Sequence, residues 1–575
     1  MTPAPAQAAD PDRIAPGTVM ALFAMGLGVI VIANDFTALN VALPAIEHDF
    51  NVDVGTAQWV INAYCLVFGM AIVTGGRLAD LFGRRRAFFL GSALFAGFSL
   101  LGGIAQDSIW LISMRVGMGL GGALMWPAIP GMTYAALPES KAGLAGGLIL
   151  GAAGLGNAIG PLLGGVLTDE LSWRWIFFLN VPIAAFAVLV TWLRVHQPAP
   201  PATDERIDYP GIATLSIGLL LVLLAFDQAA DWGFGDIRVI LMLVVAVLLI
   251  IAFVSIEPRM KRNALIPTDV MRNGAFRNAC VTVLLMSAVF FGTVLYAPQF
   301  MEKILGYSAL KAGLGMVPML GTFALTSFIS GVLYARLGAK VTVTAGALGL
   351  TVGPFLLSMI DAGSNYSGLV VGLAVTGLGA GLFYSSVTTA AVTALDPSRT
   401  SLAGGLVYMC QIGGGAIGLG ITTTIFTITS ENELDQKAAE AGQRLTDHQV
   451  AVLHGQLAGT DAAAAALKRV SASAQDTIVG IVRESFAVGI QAGFRFVAIA
   501  ALVGLLISLF FVGGRLLPSR RGAVAEQAEA YPHRRLIRSA EWVPRSDETN
   551  FILKNPRSED GRIRPCDRSL SPTGR

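Results

Sequence analysis

Charge is scarce in this sequence. Asp, Glu, Lys and Arg make up 14% of its 575 residues, against about 25% in an average soluble chain. Forty Lys and Arg against 38 Asp and Glu leave a net charge of +2, so no overall field points to a nucleic-acid partner. Cysteine is nearly absent. Cys65, Cys280, Cys410 and Cys566 have neither metal-ligand spacing nor the density of a disulfide framework. No G-x-x-x-x-G-K-[ST] phosphate loop occurs, which argues against drive by a P-loop nucleotidase. What the chain does have is apolar surface: 54% hydrophobic residues and a mean hydropathy of +0.65. Much of it comes in runs of about 20 residues, each able to cross a hydrocarbon core roughly 30 Å thick. These features exclude a soluble enzyme, a secreted disulfide scaffold and a disordered protein.

Lipid offers no partner to backbone N–H and C=O groups, so the spans are helical. Fourteen are expected, near 17–44, 56–79, 87–106, 110–136, 143–168, 175–195, 209–228, 237–257, 277–301, 311–334, 340–360, 367–393, 402–429 and 487–514. The long first apolar segment reads as an uncleaved span rather than a signal peptide. With the N-terminus inside, fourteen Lys and Arg fall on inside short loops and their margins against four outside. Both termini are therefore expected in the cytoplasm. The predicted organisation is an N-terminal segment 1–16, a six-helix bundle 17–195, two extra helices with flanking loops 196–275, a second six-helix bundle 276–514 with an outer loop 430–486, and a disordered, Arg-rich tail 515–575. The outer loop is Ala- and Gln-rich and is expected to fold as a hairpin of short amphipathic helices.

An internal repeat supports the two bundles. The sequence LAGGL occurs at Leu144–Leu148 and again at Leu402–Leu406, an offset of 258. Asn157-Ala158-Ile159-Gly160 aligns with Gly415-Ala416-Ile417-Gly418 at the same offset. Gly76, Leu78, Gly83 and Arg85 match Gly331, Leu333, Gly338 and Lys340 at an offset of 255. Near-equal offsets argue for a duplicated six-span unit, with spans 1–6 corresponding to 9–14 and spans 7 and 8 inserted. Two parallel repeats around a central cavity are a transporter architecture.

Four motifs carry a family resemblance. Gly76-Arg77-Leu78-Ala79-Asp80-Leu81-Phe82-Gly83-Arg84-Arg85 closes span 2 and resembles the cytoplasmic signature of the major facilitator superfamily, with Leu81 where a basic residue is common. Glycines permit a tight turn, and Asp80 can accept from a helix N-terminus or pair with Arg. Gly156-Asn157-Ala158-Ile159-Gly160-Pro161-Leu162-Leu163-Gly164-Gly165 in span 5 matches the superfamily's antiporter signature. Its small residues permit close helix approach, and Pro161 is expected to bend the helix, a kink that its repeat mate Leu419 would lack. Asn34-Asp35-Phe36-Thr37-Ala38-Leu39-Asn40-Val41-Ala42-Leu43-Pro44 and Trp173-Arg174-Trp175-Ile176-Phe177-Phe178-Leu179-Asn180-Val181-Pro182 are similar to signatures of its fourteen-span drug:proton antiporters. The resemblance covers roughly residues 14–515. It implies an all-α polytopic major facilitator fold, two six-helix bundles plus two extra central helices.

The same resemblance implies a proton-coupled antiporter exporting lipophilic drugs or antibiotics across the cytoplasmic membrane by alternating access, as a monomer. A proton gradient would replace any cofactor. Asp35 is the coupling candidate, because a carboxylate in apolar surroundings has its charged form disfavoured. Arg115, in Leu111-x-x-x-Arg115 of span 4, resembles the family's buried arginine, with Met118 in place of its usual Gln. Asp35 lies in the outer half of an outward-running span and Arg115 early in an inward-running one, so the two are expected to meet. Asn34, Gln58, Tyr64, Trp126, Asn157, Tyr384, Tyr408 and Gln411 are candidates for a substrate cavity. Gln411 resembles a family Gln whose preceding Arg is Cys410 here. The alternatives are a proton-coupled carrier of a nutrient, metabolite or siderophore and a membrane scaffold. The few deep carboxylates point to neutral, anionic or singly charged cargo.

Overall fold

A computed structural model describes residues 16–52, 54–195, 207–260, 263–440, 472–511, 542–544 and 551–553. Fourteen of its helices are long and apolar enough to cross a membrane. In chain order they are α1 Pro16–Phe50, α2 Val54–Phe82, α3 Arg84–Gly103, α4 Ser108–Ala136, α5 Ala142–Glu170, α6 Arg174–Arg194 and α7 Tyr209–Trp232. There follow α8 Ile237–Met260, α9 Gly274–Lys303, α10 Val317–Leu337, α11 Ala339–Leu357, α12 Tyr366–Thr393, α13 Thr400–Glu440 and α14 Ala472–Phe511. The chain is a multi-pass membrane protein of the all-α class.

Two bundles, α1–α6 and α9–α14, are built from the same neighbour relations. In the first, α1 packs on α5 and α6, and α3 on α4 and α6; in the second, α9 packs on α13 and α14, and α11 on α12 and α14. The bundles meet along swapped pairs: α2 lies on α13, and α5 lies on α10. The repeat predicts this swap, since α2 corresponds to α10 and α5 to α13. It extends to single glycines. A Cβ added at Gly76 would meet the Ser401 carbonyl at 2.7 Å, and one at Gly331 would meet the Gly143 carbonyl at 2.6 Å. Gly331 is the repeat mate of Gly76, and Ser401 that of Gly143, so one backbone-to-backbone contact is made twice. Gly83 and Gly338, also mates, both have positive φ, 102° and 84°, and turn the chain from α2 into α3 and from α10 into α11.

The inserted pair sits beside this interface. α7 packs on α8, α2 and α13. α8 buries only Val239, Ala246, Phe253 and Glu257 and shows apolar side chains elsewhere, as a lipid-facing helix does.

Four helix ends differ from the sequence expectation. α10 begins at Val317 rather than 311, because the chain first makes a separate short helix, Ala309–Gly315, and Pro318 opens α10. α1 runs through Pro44 to Phe50; proline does not stop a membrane helix whose neighbours satisfy the freed carbonyl. α13 and α14 extend to Glu440 and back to Ala472, because the Ala-, Glu- and Gln-rich flanks are good helix formers. Lys437 bridges the two extensions, 2.5 Å from Glu484. The predicted hairpin of short helices is therefore replaced at both ends by continuations of the spans, and residues 441–471 lie outside the described residues.

Residues 1–516 form one unit and residues 517–575 another. In the second, strands β1 Trp542–Pro544 and β2 Phe551–Leu553 pair antiparallel. The expectation of a disordered tail otherwise falls outside the described residues, as does that for the N-terminal segment before Pro16.

Candidate functional site

Asp35 and Arg115 meet in the first bundle. The Arg115 Nη1 donates to Asp35 Oδ2, and both side chains are wholly buried. Arg115 does not snorkel to an interface. Its Nε donates to the Val60 carbonyl at 2.7 Å, and its guanidinium lies over the Tyr64 ring, 4.2 Å from the centroid. Met118, in place of the family's Gln, puts its sulfur 3.8 Å from Nη1. A further residue enters here. Asn180 on α6 donates to Asp35 Oδ1 at 3.3 Å and lies 3.2 Å from Ser99 Oγ, while Ser99 donates to the Phe177 carbonyl at 2.8 Å. Arg115 Nη2, Tyr64 Oη, Asn180 Oδ1 and Asn34 Oδ1 have no hydrogen-bond partner among the described residues. The site is thus a buried ion pair with unused donors and acceptors around it. Leaving a buried charge without its partner costs several kcal/mol, about 3–5, so the pair is stable as a pair and expensive to split.

The antiporter-like glycines set the position of Asp35. Cβ atoms at Gly156 and Gly160 on α5 would meet Ile30 O at 2.7 Å and Ala38 N at 3.1 Å, the stretch of α1 that brackets Asp35. Gly164 likewise faces Ala38, while Gly165 faces Leu310 and Val41. Pro161 has no N–H, so the carbonyl four residues earlier, that of Asn157, loses its helical donor. Thr37 Oγ1 on α1 lies 3.3 Å from that carbonyl and 3.3 Å from the Asn34 carbonyl of its own helix, so its one proton is shared between the two. The proline thus creates an acceptor that α1 uses, one residue pair away from Asp35.

At the end of the bundles where Gly83 turns the chain, Asp80 joins the two halves. It accepts the first-turn amides Ser401 N at 3.2 Å and Leu402 N at 2.8 Å from α13, and Arg84 Nε at 3.1 Å. Arg84 also donates to the carbonyls of Gly131 at 2.9 Å and Pro397 at 2.5 Å. Arg85 instead stays within the first bundle, on the Trp192 carbonyl at 2.8 Å. Tyr134 Oη and Thr389 Oγ1, 3.0 Å apart, add a bridge between α4 and α12. Asp80 therefore both caps a helix and pairs with Arg.

The eight cavity candidates do not gather. Tyr64, Trp126 and Tyr408 belong to one aromatic layer with Phe36 and Phe68; Trp126 and Tyr408 are 4.3 Å apart across the bundle interface. Tyr384 is buried in the second bundle, 3.3 Å from Ser287 Oγ. Asn34 is buried beside Asp35, Asn157 and Gln411 are half-buried, and Gln58 is exposed. A cavity of about 390 Å³ lies elsewhere, between α2, α7, α9 and α13, and none of the eight lines it. Asn62 and Asp227 do. Asn180 and Asn62 each carry a sequence signal, a polar residue inside an apolar span, and Asn180 stands in one of the motifs quoted above. Asp227 reads from the sequence as one of the few acids at a span end, and the structure places it in the cavity wall.

Among the described residues no cluster of three or more His, Cys, Asp or Glu has metal-binding geometry. Cys65, Cys280 and Cys410 are free thiols.

Comparison with known proteins agrees with this architecture. The sequence model described as Major Facilitator Superfamily matches residues 25–419. The tetracenomycin C resistance and export protein of Streptomyces glaucescens is 27% identical over 490 residues, spanning 85% of this chain and 90% of the relative. The puromycin resistance protein of Streptomyces alboniger is 32% identical, spanning 70% and 81%. The multidrug resistance protein Stp of Mycobacterium tuberculosis is 31% identical, spanning 74% and 80%. Among solved structures, the human organic anion transporter TETRAN superposes with a TM-score of 0.56 at 14% identity, covering 86% of this chain and all of that one. This last likeness concerns the fold. Fourteen membrane-length helices, a repeat that reproduces its own glycine contacts, and a match across most of the bundles lead to one assignment: the chain belongs to the major facilitator superfamily and is a transporter.

Proposed function

We propose that this protein is a proton-coupled antiporter that exports lipophilic drugs or antibiotics across the cytoplasmic membrane by alternating access, with both termini in the cytoplasm. The observation that carries the reading is the Asp35–Arg115 pair, fully buried in the first bundle and held by four helices. Named relatives are resistance and export proteins, which supports the direction of transport.

Asp35 is the proton carrier. Deprotonated, it is matched by the Arg115 guanidinium and the Asn180 amide. Protonated, it no longer balances Arg115, whose cation then relies on the Val60 carbonyl and the Tyr64 ring. Protonation thus weakens the link between α1 and α4, and a change in helix position relieves the cost. The α1–α5 seam transmits it, because Gly156, Gly160 and Gly164 leave α5 no room to lag behind α1. α5 in turn lies on α10 of the other bundle. In this reading the end held together by the contacts of Asp80, Arg84 and Tyr134 is the cytoplasmic one. Arg84, Arg194 and Arg336 at helix ends on that side fit the positive-inside rule. No cofactor is needed; the proton gradient drives the cycle, and the protein works as a monomer.

Asp35→Asn tests the reading. Cells expressing the variant are expected to lose tolerance across a drug panel, and inverted vesicles to lose drug-induced proton release. Retention of both would remove proton coupling at Asp35. Gradient-driven uptake into right-side-out vesicles by the wild type would instead favour an importer.

A further inference from the structure

Asp227 sits where the inserted helix α7 meets both bundles. It lies near the end of α7 away from the Asp80 closure and lines the cavity of about 390 Å³, a volume within the range of small-molecule sites, about 300–1,000 Å³. α2 contributes from the first bundle, α9 and α13 from the second, and α7 from neither. The wall is mostly apolar. It holds one carboxylate and no Lys or Arg. Asn62 Nδ2 donates to both Asp227 oxygens, at 3.0 and 3.2 Å, and Gln228 Nε2 to Oδ2 at 3.1 Å. These amides orient the carboxylate without adding positive charge. Phe226, Phe291, Tyr296 and Phe426 line the same space, and aromatic rings of this kind attract cations.

We propose that this cavity is a binding subsite for a lipophilic monocation, with Asp227 of the inserted helix α7 as its counter-charge. The subsite presupposes the exporter reading above and gives it a substrate class. The physics is a charge pair in low dielectric: a cation with an apolar body gains the carboxylate, the rings and the apolar wall together. An anion of the same shape meets the carboxylate unfavourably. The second half-repeat contributes Leu419, the mate of Pro161, so the position that makes a helix-to-helix acceptor in one bundle makes cavity wall in the other.

The test uses the purified full chain in detergent and equilibrium binding of tetraphenylphosphonium, with triphenylphosphine oxide as an uncharged probe of similar build. Asp227→Asn is expected to weaken the cation about tenfold or more and to leave the oxide unchanged. Asp227→Glu restores the cation to within about threefold by returning the charge. Leu419→Trp fills the space and weakens both probes. Equal loss of both probes in Asp227→Asn would make Asp227 a structural tie to Asn62 and overturn the subsite. Unchanged cation affinity, or no cation binding by the wild type, would do the same. Should the oxide bind too weakly to read, Asp227→Glu decides: recovery of cation binding supports the subsite and its absence overturns it. Binding at equilibrium needs no gradient. A failure of coupling at Asp35 therefore leaves this result standing, and a failure here leaves coupling standing.

Discussion

Removing the Asp80 carboxylate should open the end of the bundles that it closes. In Asp80→Ala, the amides of Ser401 and Leu402 lose their acceptor at 3.2 and 2.8 Å, while Arg84 keeps the Gly131 and Pro397 carbonyls. Each buried N–H left unmet costs about 1–3 kcal/mol. Opening rehydrates both, so the closed state alone bears the cost. The two together cost about 2–6 kcal/mol, so the closed-to-open ratio falls by about 30-fold at the least and about 25,000-fold at the most. Asp80→Asn keeps one acceptor oxygen and should shift the ratio by less, about five- to thirtyfold. The assay is a distance distribution between spin labels at Arg86→Cys and Ser398→Cys, with the native cysteines replaced. Wild type should give one short population. Asp80→Ala should give a second, longer one, with Asp80→Asn between them. A folded Asp80→Ala protein with the wild-type distribution would refute this account of the latch.

Other substitutions probe the remaining contacts. Arg115→Ala strands the Asp35 charge and should lower stability by about 3–5 kcal/mol, whereas Asp35→Asn with Arg115→Met should recover most of it; thermal unfolding in detergent reads both. Gly160→Ala inserts a methyl group against Thr37 and Ala38 and should cost about 1–3 kcal/mol by overpacking, with transport lost in vesicles that still contain the protein. Thr37→Val removes the donor to the Asn157 carbonyl and should cost only about 0.6 kcal/mol, a small fall in melting temperature that Pro161→Ala, by restoring the N–H, should cancel. Lys437→Ala breaks a partly exposed ion pair and should change stability by less than about 1 kcal/mol.

The membrane fold was legible because lipid imposes a coarse rule on composition. Any run that is long and apolar must be a helix, and the repeat fixed which helices correspond. Its reach into single contacts, Gly76 on Ser401 and Gly331 on Gly143, follows because close backbone approach leaves glycine no alternative. The Asp35–Arg115 meeting was accessible from depth along two antiparallel spans. The same reasoning could not place the aromatic candidates, because Tyr64, Trp126, Tyr384 and Tyr408 fit an apolar core and a cavity wall equally well by type. Nor could it find the Asp227 cavity, whose wall is shared by four helices that lie far apart in sequence. The helical extensions beyond the expected ends of α13 and α14 were hidden for a different reason. Hydropathy marks where lipid stops, whereas Ala and Glu carry a helix onward into water.

The doubled glycine contact has a mechanical consequence. Two equivalent flanks hold the same rim of the molecule shut, yet only the α2–α13 flank carries an aspartate; its counterpart on α10 is Ala335. A fastening on one side of a symmetric seam makes the two flanks unequal: the α2–α13 flank must release a charged grip before it parts, whereas the α5–α10 flank is held by a row of close glycine contacts at Gly143, Gly147, Gly151 and Gly154.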